Sequence, residues 1–150
     1  MKFRSLLAAT TLLAVSATPI MAQGDPAEDA LNYRLGVFRT MAWSFGPMVA
    51  MVKNKMPYDA ALFTRHAERV AFLSHLPLEG FIPDSRIGET TAKAEVWTDR
   101  ATFESQMDTM IMEAEKLLEV SKAGSIDAIR PQFGALGKSC KTCHDDFRTE

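Results

Sequence analysis

The residues of this chain best placed to act together chemically are Cys140, Cys143 and His144, in a Cys-Lys-Thr-Cys-His run near the C-terminus. On a helix, residues three and four apart share a face, so both thiols and the imidazole would project the same way. The thiols can then form thioethers with the two vinyl groups of a porphyrin, while the imidazole ligates its iron. The spacing predicts one haem c, attached through Cys140 and Cys143, with His144 as metal ligand.

Three other interpretations of the two cysteines are weaker. A redox-active pair normally opens a helix after a strand, and no strand pattern precedes this one. A structural zinc site needs four ligands, whereas the chain has two cysteines, and His66 and His75 lie on another predicted helix, where we expect them at the surface or in an interface. A disulfide across so short a loop would add little stability through chain entropy.

The N-terminus has the layout of a secretory leader. Lys2 and Arg4 precede an apolar stretch over residues 6–15, and small residues lead to Ala22. The apolar stretch is shorter than the roughly 20 residues needed to span a bilayer. We therefore expect a signal peptide over residues 1–22, a mature domain over residues 23–150 and a periplasmic location. An uncleaved anchor is the lesser alternative, and no transmembrane span is expected after residue 22.

The charge of the chain argues against two classes of partner. Without the two basic residues of the leader, 15 basic and 19 acidic side chains remain, a formal charge of −4. A mildly acidic domain has no electrostatic footprint for nucleic acid or for an anionic membrane surface. We expect neither partner.

Four amphipathic patterns organise the mature chain. They predict helices over about 26–53, 58–76, 98–122 and from residue 126 to about 148, with Pro131 leaving the start of the fourth in doubt. Residues 77–99 have no sustained period and predict a long crossover loop. The economical fold is all-α, an antiparallel four-helix bundle that carries its haem near the C-terminal helix.

Helix one has two apolar faces. One follows a helical period and is predicted to be the buried seam, formed by Leu31, Leu35, Phe38, Ala42, Phe45, Val49 and Val52. The other face suggests contact with a second copy in a homodimer, or cover by the crossover loop; it includes Val37, Met41, Met48 and Met51.

The sixth coordination position of the iron separates the possible functions. In an antiparallel bundle the end of helix four lies beside the start of helix one, so the distal group should come from residues 35–38 or from Met41. An open position suits gas binding, whereas a methionine ligand suits electron transfer. A methionine is more often a packing residue than a ligand.

Several segments resemble cytochrome c′ over essentially the whole mature chain. They are Asp29-Ala30 through Tyr33-Arg34, Phe45-Gly46-Pro47-Met48, the run at 57–61 and the closing run at 140–148. The resemblance implies a periplasmic homodimer of four-helix bundles with five-coordinate, high-spin haem. It also implies binding of nitric oxide and carbon monoxide, and a role in scavenging or storing nitric oxide.

The resemblance also assigns three cofactor-binding residues. Arg34 matches a position that meets a haem propionate, and Arg148 a basic position beside the proximal imidazole. Phe38 matches the residue that caps the distal face, where low-spin relatives have a methionine. Each has a simpler alternative: Arg34 a solvated side chain, Arg148 a complement to the helix dipole, and Phe38 ordinary core packing.

The preferred function is therefore a gas-binding haem protein that is not an enzyme. The runner-up is a small electron-transfer cytochrome that serves a periplasmic redox partner protein. A peroxidase would need a distal acid–base group and a charge-stabilising group. In the predicted distal stretch only Arg34 could serve.

Overall fold

The structure is a computed structural model that describes residues 24–149. The predicted leader lies outside the described residues. Residues 24–149 form five α-helices and one 3₁₀ turn: α1 Pro26–Val52, α2 Ala60–Ser74, the turn Pro77–Gly80, α3 Glu95–Thr98, α4 Arg100–Lys122 and α5 Ile126–Phe147. The four long helices match the predicted patterns to within about two residues at most ends.

Local chemistry sets several of these helix boundaries. The carboxylate of Asp25 accepts from the amide of Ala27 at 2.9 Å, and Pro26 occupies the first helical turn, where no amide donor is needed. Asp59 caps α2 in the same way through the amide of Leu62 at 2.9 Å. Gly124 has φ +73° after α4, a conformation that suits glycine at a helix end.

The long helices pack as an antiparallel bundle around one core. α4 packs against both α2 and α5, while α1 packs against α2 and the Pro77–Gly80 turn. Residues 24–149 contain no β-strand beyond an isolated bridge between Ala92 and Arg148. The predicted all-α four-helix bundle is confirmed. Its most buried side chains include Met48, Phe63, Met107, Leu117, Ile129 and Leu136.

The structure decides between the roles predicted for the two apolar faces of α1. The face assigned to a dimer contact, Val37, Met41, Met48 and Met51, is buried within this chain. The dimer contact predicted for this face is therefore wrong, whereas the alternative, cover by the crossover, holds in part, because α1 packs against α2 and the Pro77–Gly80 turn. Most of the predicted seam is only half-buried, and Leu35, Phe38, Ala42 and Phe45 line a cavity.

Pro131 does not delay the start of the fourth long helix. α5 begins at Ile126 and runs through Pro131. The proline lacks the amide that would donate to the carbonyl of Asp127. Both residues are exposed, so water can satisfy that carbonyl and the helix continues.

By length and apolar composition alone, α1 could cross a membrane. The sequence predicted no segment of this kind after residue 22, and that prediction is wrong as far as length and apolar composition are concerned. The core helix of a bundle passes the same test, and α1 uses its apolar residues in the core and the cavity wall.

The two histidines of the α2 region differ from each other. His66 is 6 % exposed, so the expectation of a surface or interface position is wrong for it. Burial, and then the charges of Arg69 and Arg65, lower its pKa. His75 is exposed and its Nε2 lies 3.0 Å from the Glu115 carboxylate.

Candidate haem site

A cavity of about 590 Å³ lies between α1 and α5. α1 and α5 meet at one end, where the rings of Phe45 and Phe133 stack with centroids 4.7 Å apart. Apolar side chains form most of the walls. They come from α1, α2, α4, α5 and the crossover, and include Leu35, Phe38, Phe45, Val70, Phe81, Phe103, Met107, Leu136 and Phe147.

Cys140, Cys143 and His144 all line this cavity, as their spacing predicts. The two thiols are half-buried and form no disulfide. Burial raises the pKa of Cys140 and is the main reason that the pKa of Cys143 rises to about 11. A redox-active pair would instead have a lowered pKa. The structure therefore does not support that alternative.

His144 lies at the mouth of the cavity, one turn before the end of α5. Partial burial lowers the pKa of its imidazole, the Arg148 guanidinium lowers it further, and Asp145 opposes them. A lowered pKa leaves the ring neutral at pH 7, which is the form that ligates a metal. Arg148 is an exposed residue of the same mouth.

Arg34 also lines the cavity but is not a solvated residue. It is 2 % exposed, and burial lowers its pKa. Its Nη1 donates to the Gly80 carbonyl at 2.7 Å and to the Ser85 hydroxyl at 3.1 Å, and its Nη2 donates to the Ser85 carbonyl at 2.7 Å. No carboxylate of residues 24–149 pairs with it.

Arg34 therefore holds the crossover against α1. Five N–H donors are available on a guanidinium, and these three contacts use three of them. Two remain that could meet a carboxylate in the cavity. Its guanidinium carbon also lies 4.8 Å from the centre of the Phe81 ring, a favourable cation–π distance.

Phe38 lies on the α1 wall of the cavity and is half-buried. Its ring packs edge-on against Phe81, with centroids 6.3 Å apart. Phe81 in turn contacts Phe103 at 4.9 Å and Trp97 at 5.9 Å. The position of Phe38 therefore depends on an aromatic cluster that the crossover carries.

Three methionines share the cavity: Met41 from α1, and Met107 and Met110 from α4. Met41 was considered from the sequence as a distal ligand. The two on α4 belong to the buried face of that helix. All three are buried.

Sequence reasoning did not predict the contribution of the crossover to this site. Glu89, Thr90, Thr91 and Ala92 form part of the mouth. They belong to an aperiodic stretch, and no local pattern identifies which cavity such a stretch will border.

The lining fits a haem. Its volume lies within the range typical of cofactor pockets, and its interior is apolar. Basic side chains also line the cavity, and Arg34, Arg39 and Arg148 could meet the two propionates of the porphyrin. Two thiols and a neutral imidazole come from one helix face, which is the donor set that a haem c uses.

Comparison with known proteins supports this interpretation. The sequence profile of the family described as Cytochrome C′ matches residues 29–148. The cytochrome c′ of Halomonas halodenitrificans is 42% identical over 129 residues, which cover 82% of this chain and 98% of that protein. The cytochrome c′ of Alcaligenes xylosoxydans xylosoxydans is 39% identical over 121 residues, covering 81% and 94%.

Solved structures agree in fold. Cytochrome c prime from Shewanella frigidimarina superposes with a TM-score of 0.81 at 42% identity, covering 85% of this chain and 99% of that one. The nitric oxide complex of a mutant cytochrome c prime from Alcaligenes xylosoxidans gives 0.77 at 38% identity, covering 83% and 97%.

Fold and site together define a class, the c-type haem proteins built on an antiparallel helical bundle. Within that class, the extent of these matches is decisive: the chain belongs to the cytochrome c′ family. The predicted cofactor, haem c, is confirmed with the family. The roles of the individual site residues stay predictions.

Proposed function

We propose that this protein binds nitric oxide and carbon monoxide at a five-coordinate, high-spin haem, and that it scavenges or stores nitric oxide. The observation that carries the proposal is the placement of Phe38 on the α1 wall of the cavity that holds His144 on its α5 side. The haem iron, when bound, supplies one coordination position for a diatomic gas. A phenyl ring beside that position can shape access to it but cannot ligate the iron.

Other side chains of this chain attach and orient the haem. Cys140 and Cys143 anchor the porphyrin edge to α5, and His144 ligates the iron from that side. Arg34 and Arg148 orient the propionates by charge-assisted hydrogen bonds. Arg148 also disfavours protonation of His144, since its charge lowers the pKa of the imidazole.

Phe38 gives the site its selectivity. A distal hydrogen-bond donor stabilises bound oxygen. Bound nitric oxide and carbon monoxide depend less on such a donor. Phe38 offers no donor. Relatives support binding of nitric oxide, since solved structures of variants of the Alcaligenes xylosoxidans protein include several nitric oxide complexes.

An electron-transfer role is the second candidate, and the buried methionines favour it. Met41, Met107 and Met110 line the cavity, and a thioether sulfur opposite the imidazole would give a six-coordinate carrier that serves a redox partner protein. Enzymatic peroxide chemistry is not proposed, since His144 is the one histidine among the described residues of the cavity and is assigned to the iron.

The visible spectrum of the purified, exported protein tests the proposal. We expect a pyridine haemochrome of c type, a mass that includes one haem, and a ferrous spectrum of high-spin, five-coordinate form that changes on addition of nitric oxide or carbon monoxide. Sharp low-spin bands in the ferrous protein would contradict the open site and favour the carrier. A bare polypeptide mass would contradict the attachment.

Variants locate the attachment and ligand residues. Cys140→Ser and Cys143→Ser should each leave one thioether, which the haemochrome maximum reports. His144→Ala should remove the iron–imidazole band from the resonance Raman spectrum. Lys141→Ala lies in the same run but is exposed and should leave all of these spectra unchanged.

A periplasmic location and a homodimer belong to the same proposal. Residues 1–22 are proposed as a leader that directs the domain of residues 23–150 to the periplasm, where no nucleic acid or membrane partner is expected. N-terminal sequencing of the exported protein should begin within a few residues of Gln23. A start at Met1 would contradict cleavage.

A further inference from the structure

The C-terminal end of α5 receives unusual support from one side chain. A helix leaves its last four carbonyls without partners inside the helix. Here the ammonium of Lys93 donates to the carbonyls of Asp145 at 2.8 Å and Asp146 at 3.1 Å. The backbone amide of Lys93 donates to the carbonyl of Phe147 at 2.9 Å. Lys93 therefore satisfies three of the four.

The fourth carbonyl belongs to His144, and it accepts from the amide of Arg148 at 3.0 Å. The last helical turn therefore runs from His144, the predicted iron ligand, to Arg148. Its geometry fixes the direction in which the His144 side chain leaves the helix. Any fraying of this turn would loosen the imidazole.

Lys93 reaches α5 from the mouth of the cavity. It follows Thr90, Thr91 and Ala92, which line the mouth. This short segment pairs with the end of the chain through the Ala92–Arg148 bridge and through the amide of Thr149, which donates to the carbonyl of Thr91 at 2.8 Å. One residue therefore joins the mouth of the cavity to the helix end that carries His144, the predicted iron ligand.

We propose that Lys93 is a positioning residue for His144. Its charge complements the negative end of the α5 dipole, and its donors hold the last turn closed, so that the imidazole keeps one orientation toward the iron. Groups that orient a metal ligand without touching the metal tune the bond that the ligand makes. The inference rests on the proposed role of His144 as the ligand.

Lys141 provides a matched control. Its ammonium contacts the carboxylate of Asp145 at 2.5 Å, as an exposed pair one helical turn apart. It carries the same charge at the same helix end but makes no bond to a carbonyl there. A purely electrostatic effect on the iron should therefore follow from removal of either lysine.

The experiment compares Lys93→Met, Lys93→Arg and Lys141→Met as holoproteins. The first readout is the iron–imidazole stretching band of the ligand-free ferrous protein. We expect Lys93→Met to shift or broaden this band, Lys93→Arg to restore most of its position, and Lys141→Met to leave it unchanged. The second readout is amide exchange at Arg148, which should quicken by roughly fivefold to tenfold in Lys93→Met, the size of a lost helix cap.

The outcomes separate this inference from the proposed function. An unsubstituted protein without an iron–imidazole band would contradict the ligand role of His144. A normal band that Lys93→Met leaves unchanged would overturn the positioning role, even if the variant melts at a lower temperature. Equal shifts in Lys93→Met and Lys141→Met would also overturn it, because charge alone would then explain both.

Discussion

Single side chains in the cavity wall are proposed to determine which ligands reach the iron. The ring of Phe38 is half-buried on the α1 side, and Phe81 limits its movement from behind. Both rings are apolar, so they exclude ligands by size and offer them no hydrogen bond. Arg34 holds the crossover that carries Phe81, through its bonds to Gly80 and Ser85. The proposed selectivity would therefore rest on the size of these rings and on the absence of a hydrogen-bond donor.

Replacement of Phe38 by alanine should raise the affinity for carbon monoxide. Removal of the ring opens the distal side, and we expect a gain of roughly tenfold, which corresponds to about 1.4 kcal/mol. Titration of the ferrous protein by visible spectroscopy measures it. Met112→Ala is the control, since Met112 is 56 % exposed on α4 and lies outside the cavity. Unchanged affinity in Phe38→Ala would show that another group forms the lid.

At the scale of elements, the crossover between α2 and α4 completes the site. Its first turn, Pro77–Gly80, packs closely on α1, and its later part forms the mouth of the cavity. Gly80 permits this approach: a Cβ there would lie 2.9 Å from the Cβ of Arg34 and 3.1 Å from the carbonyl oxygen of Ala30. These α1 atoms cannot move far without bending the helix.

Gly80→Ala should therefore destabilise the protein, by about 1–3 kcal/mol as is typical of overpacking. Gly36→Ala is the matched control, because Gly36 lies in α1 with no atom within 4 Å of an added Cβ. Within a helix that change should stabilise by roughly 1 kcal/mol. Thermal unfolding followed by circular dichroism compares the two. A melting temperature of Gly80→Ala at or above the unsubstituted value would refute the close approach.

For the whole molecule, the face that could join two copies differs from the one that the sequence suggested. The methionine-rich face of α1 lies in the core of this chain. The most exposed large apolar side chains of the adjacent helices α1 and α2 are Trp43, at 78 %, and Phe72, at 68 %, whereas Tyr33 on α1 is 37 % exposed. Exposed aromatic residues are frequent anchors of protein interfaces. The proposed homodimer would use them.

The double variant Trp43→Lys, Phe72→Lys should weaken self-association by at least about tenfold, since aromatic anchors often contribute 2 kcal/mol or more. Sedimentation equilibrium measures the change. Met112→Lys is the control, because Met112 is also exposed, at 56 %, but lies on α4. A dimer of undiminished strength in the double variant would place the interface elsewhere, and a monomeric unsubstituted protein would end the proposal.

The sequence by itself determined the parts that depend on local periodicity and spacing. The four long helices follow from apolar repeats of three and four, and the cofactor follows from the spacing of Cys140, Cys143 and His144. Both are short-range properties, because a helix places residues three and four apart on one face whatever surrounds it.

Only the tertiary structure decided which apolar face of α1 enters the core and which borders the cavity. Both faces have a helical period, and periodicity does not say which neighbour a face will meet. The same holds for Glu89–Ala92 at the mouth and for Lys93 at the end of α5, since these contacts join residues about 50 positions apart. Long-range contacts of this kind depend on how whole elements pack, and no local pattern in the chain specifies them.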